Sequence, residues 1–202
     1  MNKQLPNSKS ERTRNRIIEQ TAVIFNKKGY AGTAISDLTS ATKLTKGSVY
    51  GNFEDKDEIA LAAFEYNLRQ ITQEFSAGME KAATTLDKLL VYPRTYRAIY
   101  KRIMDSGGCP ILNTLVEADD THPALKAAAL AALQRWKQAL VRLITEGIQK
   151  KELIQSLDAE KVAENMLSLF EGGGILAKAT GKDSYMLHAL DQVEDMVLSM
   201  KR

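Results

Sequence analysis

A chain of 202 residues with 44% hydrophobic and 26% charged residues suits a globular protein of one large or two modest domains. A single cysteine, Cys109, excludes an internal disulfide framework and a cysteine-built zinc site. No window approaches the ~20 apolar residues that span a bilayer and the N-terminus has no apolar secretion segment, so a reducing cytoplasm is the expected compartment.

The net charge of +3 is unevenly placed: residues 1–50 hold nine Lys/Arg against three acids, and the remainder is mildly acidic. A nucleic-acid-binding head on a body with another task is one reading; a solvated lysine-rich terminus is the other. Four prolines, no alternating β-branched runs and long segments of Ala, Leu, Gln, Lys and Glu predict an all-α fold of about nine helices. Met1–Ser10 reads as a polar arm containing Pro6, with Lys3 and Lys9 within reach of phosphates. A first helix is expected from Ser10 to Lys28, burying Ile17, Ile18, Thr21, Ile24 and Phe25 and ending at Gly29. Arg12, Arg14 and Arg16 precede that stripe and are expected to face a DNA backbone.

Two short helix signals come next. Ala34–Ala41 carries Ile35 and Leu38 and is expected to be capped by Thr33; Thr45–Tyr50 carries Val49 and is expected to be capped by Thr45. Helices this short need a third to pack on, and the upstream helix supplies it. The result is a helix-turn-helix pattern with Thr45–Tyr50 offered to the major groove. Thr45, Lys46 and Ser48 are the candidates for base edges, Gly47 permits close backbone approach, and Tyr50 and Asn52 are assigned to phosphates. Asp55 and Glu58 form a capping box for a long helix reaching Met79, with Lys56 at its start facing DNA.

The run FNKKGYAGTAISDLTSATKLTKGSVYGNFEDKDEI resembles the DNA-binding domain of tetracycline-repressor-type regulators, through Phe25, Gly29, Tyr30, Thr33, Ile35, Leu38, Gly47, Tyr50, Phe53, Lys56 and Ile59. The match covers about the first third of the chain. It implies a head at residues 1–55 and a helical effector-binding and dimerisation body at 56–202. It also implies a phosphate contact at Thr33. Two departures stand out: relatives often have glycine where this chain has Thr42 and Lys43, and histidine where it has Asn52.

Further along, a helix from Thr84 or Thr85 to about Asp105 contains Pro93, which is expected to kink it. Tyr92, Tyr96 and Tyr100 recur there every four residues, as cavity wall or as plain packing. Gly107-Gly108 ends the helix, and Pro110 opens a short one over Ile111–Glu117. The run GGCPILNTLVEADD resembles a segment in one subset of the same regulators. Cys109 at that junction reads either as a reactive thiol sensing oxidants or electrophiles or as a small buried hydrophobe. His122-Pro123 opens the longest helix, to about Lys150, with Trp136 as core or pocket wall. His122 and His188 lack the spacing of a metal site, and no cofactor or metal is expected. Asp158 caps a helix to about Thr180 that contains Gly172-Gly173-Gly174, read either as close packing against another helix, across a dimer axis included, or as a bend; the last helix spans about Asp183–Met200.

The resemblance implies that the helices near 158–180 and 183–200 form a four-helix bundle with a second subunit, and that most relatives are repressors. It implies an effector pocket among the body helices, for which Tyr96, Tyr100, Asn113, Thr114 and Trp136 are the candidates, and a small, mostly apolar or aromatic effector that releases a palindromic operator. An enzyme finds no nucleotide loop, nucleophile elbow or acid–base pair in support. Non-specific nucleoid binding and a scaffold without DNA function are the other rivals.

Overall fold

The computed structural model describes residues 8–202, so Lys3 and Pro6 of the expected arm lie outside the described residues. Among those residues the chain forms α1 (Lys9–Lys28), α2 (Ile35–Thr42), α3 (Lys46–Tyr50), α4 (Lys56–Lys81), α5 (Thr85–Asp105), α6 (Pro110–Ala118), α7 (Pro123–Gln149), α8 (Ala159–Thr180) and α9 (Ser184–Ser199). One isolated antiparallel bridge, Leu153 to Lys201, ties the C-terminus to the α7–α8 connection.

Local chemistry starts most of these helices. Ser8, Thr45, Asp55, Thr84 and Asp158 each accept a backbone N–H three residues on, and His122 does the same through Nδ1 with Leu125. Such caps are worth about 1 kcal/mol each. Two expectations fail here. Thr33 does not cap α2: it is 1% exposed and its hydroxyl donates to the Gly29 carbonyl. The cap position is Ala34, whose N–H is taken by Asp37. Glu58 does not reach back to Asp55; its carboxylate accepts from the Glu54 N–H and pairs with Arg14.

The α2–α3 turn is made without glycine. Lys43 sits in the left-handed region at φ 57°, a conformation that costs an L-residue about 1–2 kcal/mol. Thr42 offsets the strain, donating its hydroxyl to the Leu38 carbonyl and accepting the Leu44 N–H.

Two apolar cores result. In the first, Ile17, Leu38, Val49 and Phe53 pack with Ile59, Ala60 and Ala63 of α4, and Ala118 of α6 and Leu125 of α7 close it. In the second, α5, α7, α8 and α9 interdigitate around Leu89, Leu140, Ile144, Met166, Phe170 and Leu190. α5 continues through Pro93 to Asp105, with Pro93 buried. The α9 residues Met186, Leu190, Val193 and Val197 all point into this second core at 0% exposure, so they are spent within one chain and are not available to a second subunit.

Gly173 is where α8 and α9 of one chain touch. A Cβ there would lie 2.6 Å from the Ala189 Cβ and 3.2 Å from the Tyr185 carbonyl oxygen, whereas Gly172 and Gly174 face open space. The Gly173→Leu variant is therefore expected to lose about 1–3 kcal/mol of stability through overpacking. Thermal or urea unfolding checks this, with Gly174→Ala as a control expected to raise stability by up to about 1 kcal/mol, since it gains helix propensity and meets no clash.

Candidate nucleic-acid interface and internal cavity

α3 is five residues long and one-sided. Val49 is fully buried, while Thr45, Lys46 and Gly47 are exposed and Ser48 and Tyr50 are half-buried. Thr45 spends its hydroxyl on the Ser48 N–H. A Cβ at Gly47 would meet nothing within 4 Å, so this glycine leaves the helix surface open rather than allowing contact with α1. Lys46 Nζ lies 6.0 Å from the Tyr50 ring centroid. Among the described residues neither Lys43 nor Lys46 forms a hydrogen bond or an ion pair, and both are exposed.

Other basic residues of the head are committed to holding it. Arg14 donates to the Asn52 carbonyl at 2.6 Å and to Glu58 at 2.6 Å, and its guanidinium lies 4.0 Å from the Phe53 ring centroid. Arg16 donates to the Thr42 carbonyl at 3.0 Å. Lys56 donates to the Tyr30 carbonyl at 2.6 Å and sits 4.2 Å from the centroid of that ring. Arg14, Arg16 and Lys56, expected to face DNA, thus also brace the head, although the exposed Arg16 spends only one of its N–H donors on Thr42. Asn52 is similarly engaged: its amide donates to the Ser48 carbonyl at 2.9 Å and its oxygen accepts from the Ser10 hydroxyl at 3.3 Å. Thr33 presents no hydroxyl outward.

A second set of contacts joins these helices to the body. The Glu117 carboxylate, near the end of α6, accepts the N–H groups of Tyr30 at 2.7 Å and Ala31 at 2.8 Å. Gly29, at φ 73°, is required here, since a Cβ would strike that carboxylate. The Asn26 amide donates to the carbonyls of Ser106 and Gly108, and Asn113 donates back to Asn26. The Tyr30 hydroxyl donates to Asp57, and His122 Nε2 lies 3.4 Å from the same carboxylate. That Tyr30 bond, more than any other influence, holds the Asp57 carboxyl below its usual range and pushes the Tyr30 hydroxyl up to about 12.

Between α4, α5, α6 and α7 lies a cavity of about 540 Å³. Its aromatic walls are Phe75, Tyr92, Tyr96 and Trp136; Tyr92 and Tyr96 flank Pro93 in the sequence. Phe170 backs the last two, 5.5 Å from Tyr96 and 5.6 Å from Trp136 between ring centroids. Glu80 and Arg135 supply the lining's only charges and both are exposed, so they mark the mouth. Three expected pocket residues lie elsewhere. Tyr100 turns away to donate to Asp183 at 2.7 Å, and Asn113 is held by Asn26, Gly107 and Lys178. Thr114 faces a small separate hollow beside Phe25 and Tyr30. No short-range sequence pattern marks Phe75, Glu117 or Glu171, because each acts across a helix–helix contact.

Cys109 forms part of the cavity wall. Its thiol donates to Glu171 Oε1 at 3.0 Å, and burial, reinforced by that neighbouring carboxyl, pushes the thiol far above its ordinary range. The helix N-terminus does not prevail, so the thiol stays protonated at neutral pH.

The comparisons agree with this geometry. Residues 17–63 match the profile described as bacterial regulatory proteins, tetR family, and residues 85–193 match the tetracyclin repressor-like C-terminal domain. A TetR-family transcriptional regulator from Cytophaga hutchinsonii is 44% identical with a TM-score of 0.91, over 98% of each chain. One from Chloroflexus aurantiacus J-10-FL is 35% identical with a TM-score of 0.89, over 96% of this chain and 98% of that one. The HTH-type transcriptional repressor DhaR of Mycobacterium sp. (strain GP1) is 26% identical over 164 residues, 79% of each chain.

The state of Cys109 can be read directly. Its labelling by a neutral thiol reagent at pH 7 is expected to be at least about tenfold slower than that of free cysteine, as a thiol with a raised pKa requires. Labelling faster than free cysteine would restore the sensor reading.

Proposed function

The chain belongs to the tetracycline-repressor family and is a DNA-binding transcriptional regulator, and on that footing we propose a dimeric repressor released from a palindromic operator by a small, largely apolar effector. The observation that carries the DNA half of this reading is the sorting of the head's basic residues. Arg14, Arg16, Lys28 and Lys56 are tied to partners within the head, while Lys43 and Lys46 stand free on the turn and on α3, as Lys9 and Lys27 do on α1. A lysine held to no partner gives up no existing contact when it moves to a phosphate or base edge. Thr45, Lys46, Gly47, Ser48 and Tyr50 form the proposed contact surface, with the Tyr50 ring beside Lys46. Residues 1–55 are proposed as the head and 56–202 as the body, with α4 shared between the two apolar cores.

The cavity supports the effector half. It is the size of a small-molecule site and largely apolar inside. α6 connects it to the head: Cys109, Pro110 and Ile111 line the cavity at one end of this helix, and Glu117 at the other holds Tyr30 and Ala31. An effector that fits better with α6 displaced would shift the head's position, as a difference in affinity between two shapes demands.

One helix-turn-helix touches few bases, and two related by a two-fold axis read a palindrome. The proposed dimer face is the outer side of α8 and the start of α9. There Ile175, Leu176 and Tyr185 are exposed next to Gly172, whose missing side chain leaves open space. No described helix is long and apolar enough to cross a membrane, which fits action at cytoplasmic DNA.

Selection from random duplexes at fixed salt is expected to return a palindrome; a flat sequence profile overturns the repressor reading. Lys46→Ala should weaken operator binding and reduce the slope of log affinity against log salt by about one phosphate contact. Arg14→Ala should instead lower the melting temperature, because it removes a strut. Leu176→Glu should convert dimer to monomer in analytical ultracentrifugation, and an unchanged dimer would remove α8 from the interface.

A further inference from the structure

The deep end of the cavity has an unusual electrical character, which bears on the effector's chemical class and rests on the cavity being the effector site. The polar side chains Thr72, Ser76, Glu80 and Arg135 are all exposed at the mouth. Away from the mouth the lining's polar side-chain groups are the Tyr92 and Tyr96 hydroxyls, the Trp136 indole N–H and the Cys109 thiol. Immediately behind the thiol lies the Glu171 carboxyl, 3.0 Å away. Glu171 Oε2 is sealed from solvent and has no hydrogen-bond partner, and among the described residues no basic side chain forms an ion pair with Glu171. Lys178, about two helix turns further along α8, is occupied with Asn113. Burial raises the Glu171 carboxyl above its ordinary range, the response of an acid left without a counter-charge. Oε2 is sealed from the cavity as well as from bulk solvent, so a ligand acts on this carboxyl through its charge, across the Cys109 thiol, and not by touching it.

We infer that the cavity is built for a lipophilic organic cation, its charge lodged against the faces of Tyr96 and Trp136 with the Glu171 carboxyl, behind Cys109, as the nearest counter-charge. Aromatic faces attract cations through their quadrupole, and the attraction grows when water is excluded. The cavity has Phe75, Tyr92, Tyr96 and Trp136 on its walls, and Phe170 stacks behind two of them. A carboxylate-bearing ligand meets the opposite situation, since no cationic side chain lines the cavity away from its mouth. Arg135 at the mouth is exposed to solvent and does not change the charge of the deep end. The cation's ring or alkyl body fills the apolar remainder formed by Leu68, Ile71 and Ile111.

Three probes of nearly one shape separate the possibilities: benzyltrimethylammonium, its neutral carbon isostere neopentylbenzene, and phenylmethanesulfonate. Trp136 is the chain's one tryptophan and lines the cavity, so its fluorescence reports occupancy of the full-length protein. The cation is expected to bind at least about tenfold more tightly than the neutral isostere, and the sulfonate more weakly than either. Glu171→Gln keeps the side chain's shape and is expected to remove most of the cation's advantage while leaving neopentylbenzene unchanged. Unliganded melting of the variant confirms that it folds; if it does not, Trp136→Leu read by calorimetry must show the same selective loss for the cation. Equal binding of cation and isostere, preference for the sulfonate, no binding of any probe at millimolar concentration, or a Glu171→Gln variant that retains the cation preference would each overturn the inference. Duplex selection judges the regulator reading separately: a palindrome selected alongside a failed probe series removes only the ligand class.

Discussion

Two backbone N–H groups donating to one carboxylate hold the two halves of this molecule in register. Glu117 accepts from Tyr30 and Ala31 in the loop that leaves α1, and Gly29 gives the carboxylate room to come that close. Around this contact the remaining joints are polar as well: Asn26 with Ser106 and Gly108, Asp57 with Tyr30, and His122 beside Asp57. Charge-assisted bonds to backbone donors are short, directional and lost abruptly when geometry changes. A joint built from them has preferred positions, whereas an apolar contact alone slides. The apolar part of the joint runs through α4, whose Ile59, Ala60 and Ala63 pack with Ile17, Leu38, Val49 and Phe53, and Ala118 and Leu125 close it.

The same constraint explains why the head is so rich in internal cations. Two of its three helices are short, α2 with eight residues and α3 with five, and neither is stable on its own. The core supplies Ile17, Leu38, Val49 and Phe53, but small cores fix positions poorly. Arg14 ties α1 to the start of α4, Arg16 ties α1 to the α2–α3 turn, and Lys56 ties α4 to the loop after α1. These three cross-links set the angle at which α3 stands out from the surface. Basic residues here do two separate jobs, and total charge does not distinguish them.

That is also where the sequence stops being legible. Helix ends are readable to within a residue or two because caps are local: Thr45, Asp55, Thr84 and Asp158 each bond to a backbone group three residues away. Val49 and Leu38 are readable as buried because helical spacing reports a face. The internal bonds of Arg14, Lys56 and Thr33 are not readable, because their partners lie far along the chain or on a loop whose path the sequence does not give. Gly173 reads as a candidate subunit contact because three glycines in a helix signal closeness without saying to what; the closeness is to Ala189 of the same chain. Of the tyrosine stripe, Tyr92 and Tyr96 line the cavity while Tyr100 has rotated to reach Asp183. Four-residue spacing drifts around a helix of about 3.6 residues per turn, so the last member of such a stripe leaves the face. Lys43 shows a subtler limit: a left-handed residue flanked by a threonine that bonds on both sides needs no glycine.

The proposed switch is energetically proportionate to these contacts. α6 has nine residues, so its two ends are about 13 Å apart, and a rigid helix of that length carries a displacement without absorbing it. Cys109, Pro110 and Ile111 stand at the cavity end and Glu117 at the head end. Coupling between an effector and a distant site in proteins is typically about 1–3 kcal/mol. Hydrogen bonds to a charged group contribute about 1.5–3 kcal/mol each, so weakening the two at Glu117 spans that range without unfolding either half. A ligand that fills the cavity with α6 in place would bind and change nothing, because equal affinity for both shapes shifts no population. What the effector must do is prefer a wall that has moved, and the wall it meets is the end of the helix that grips the head.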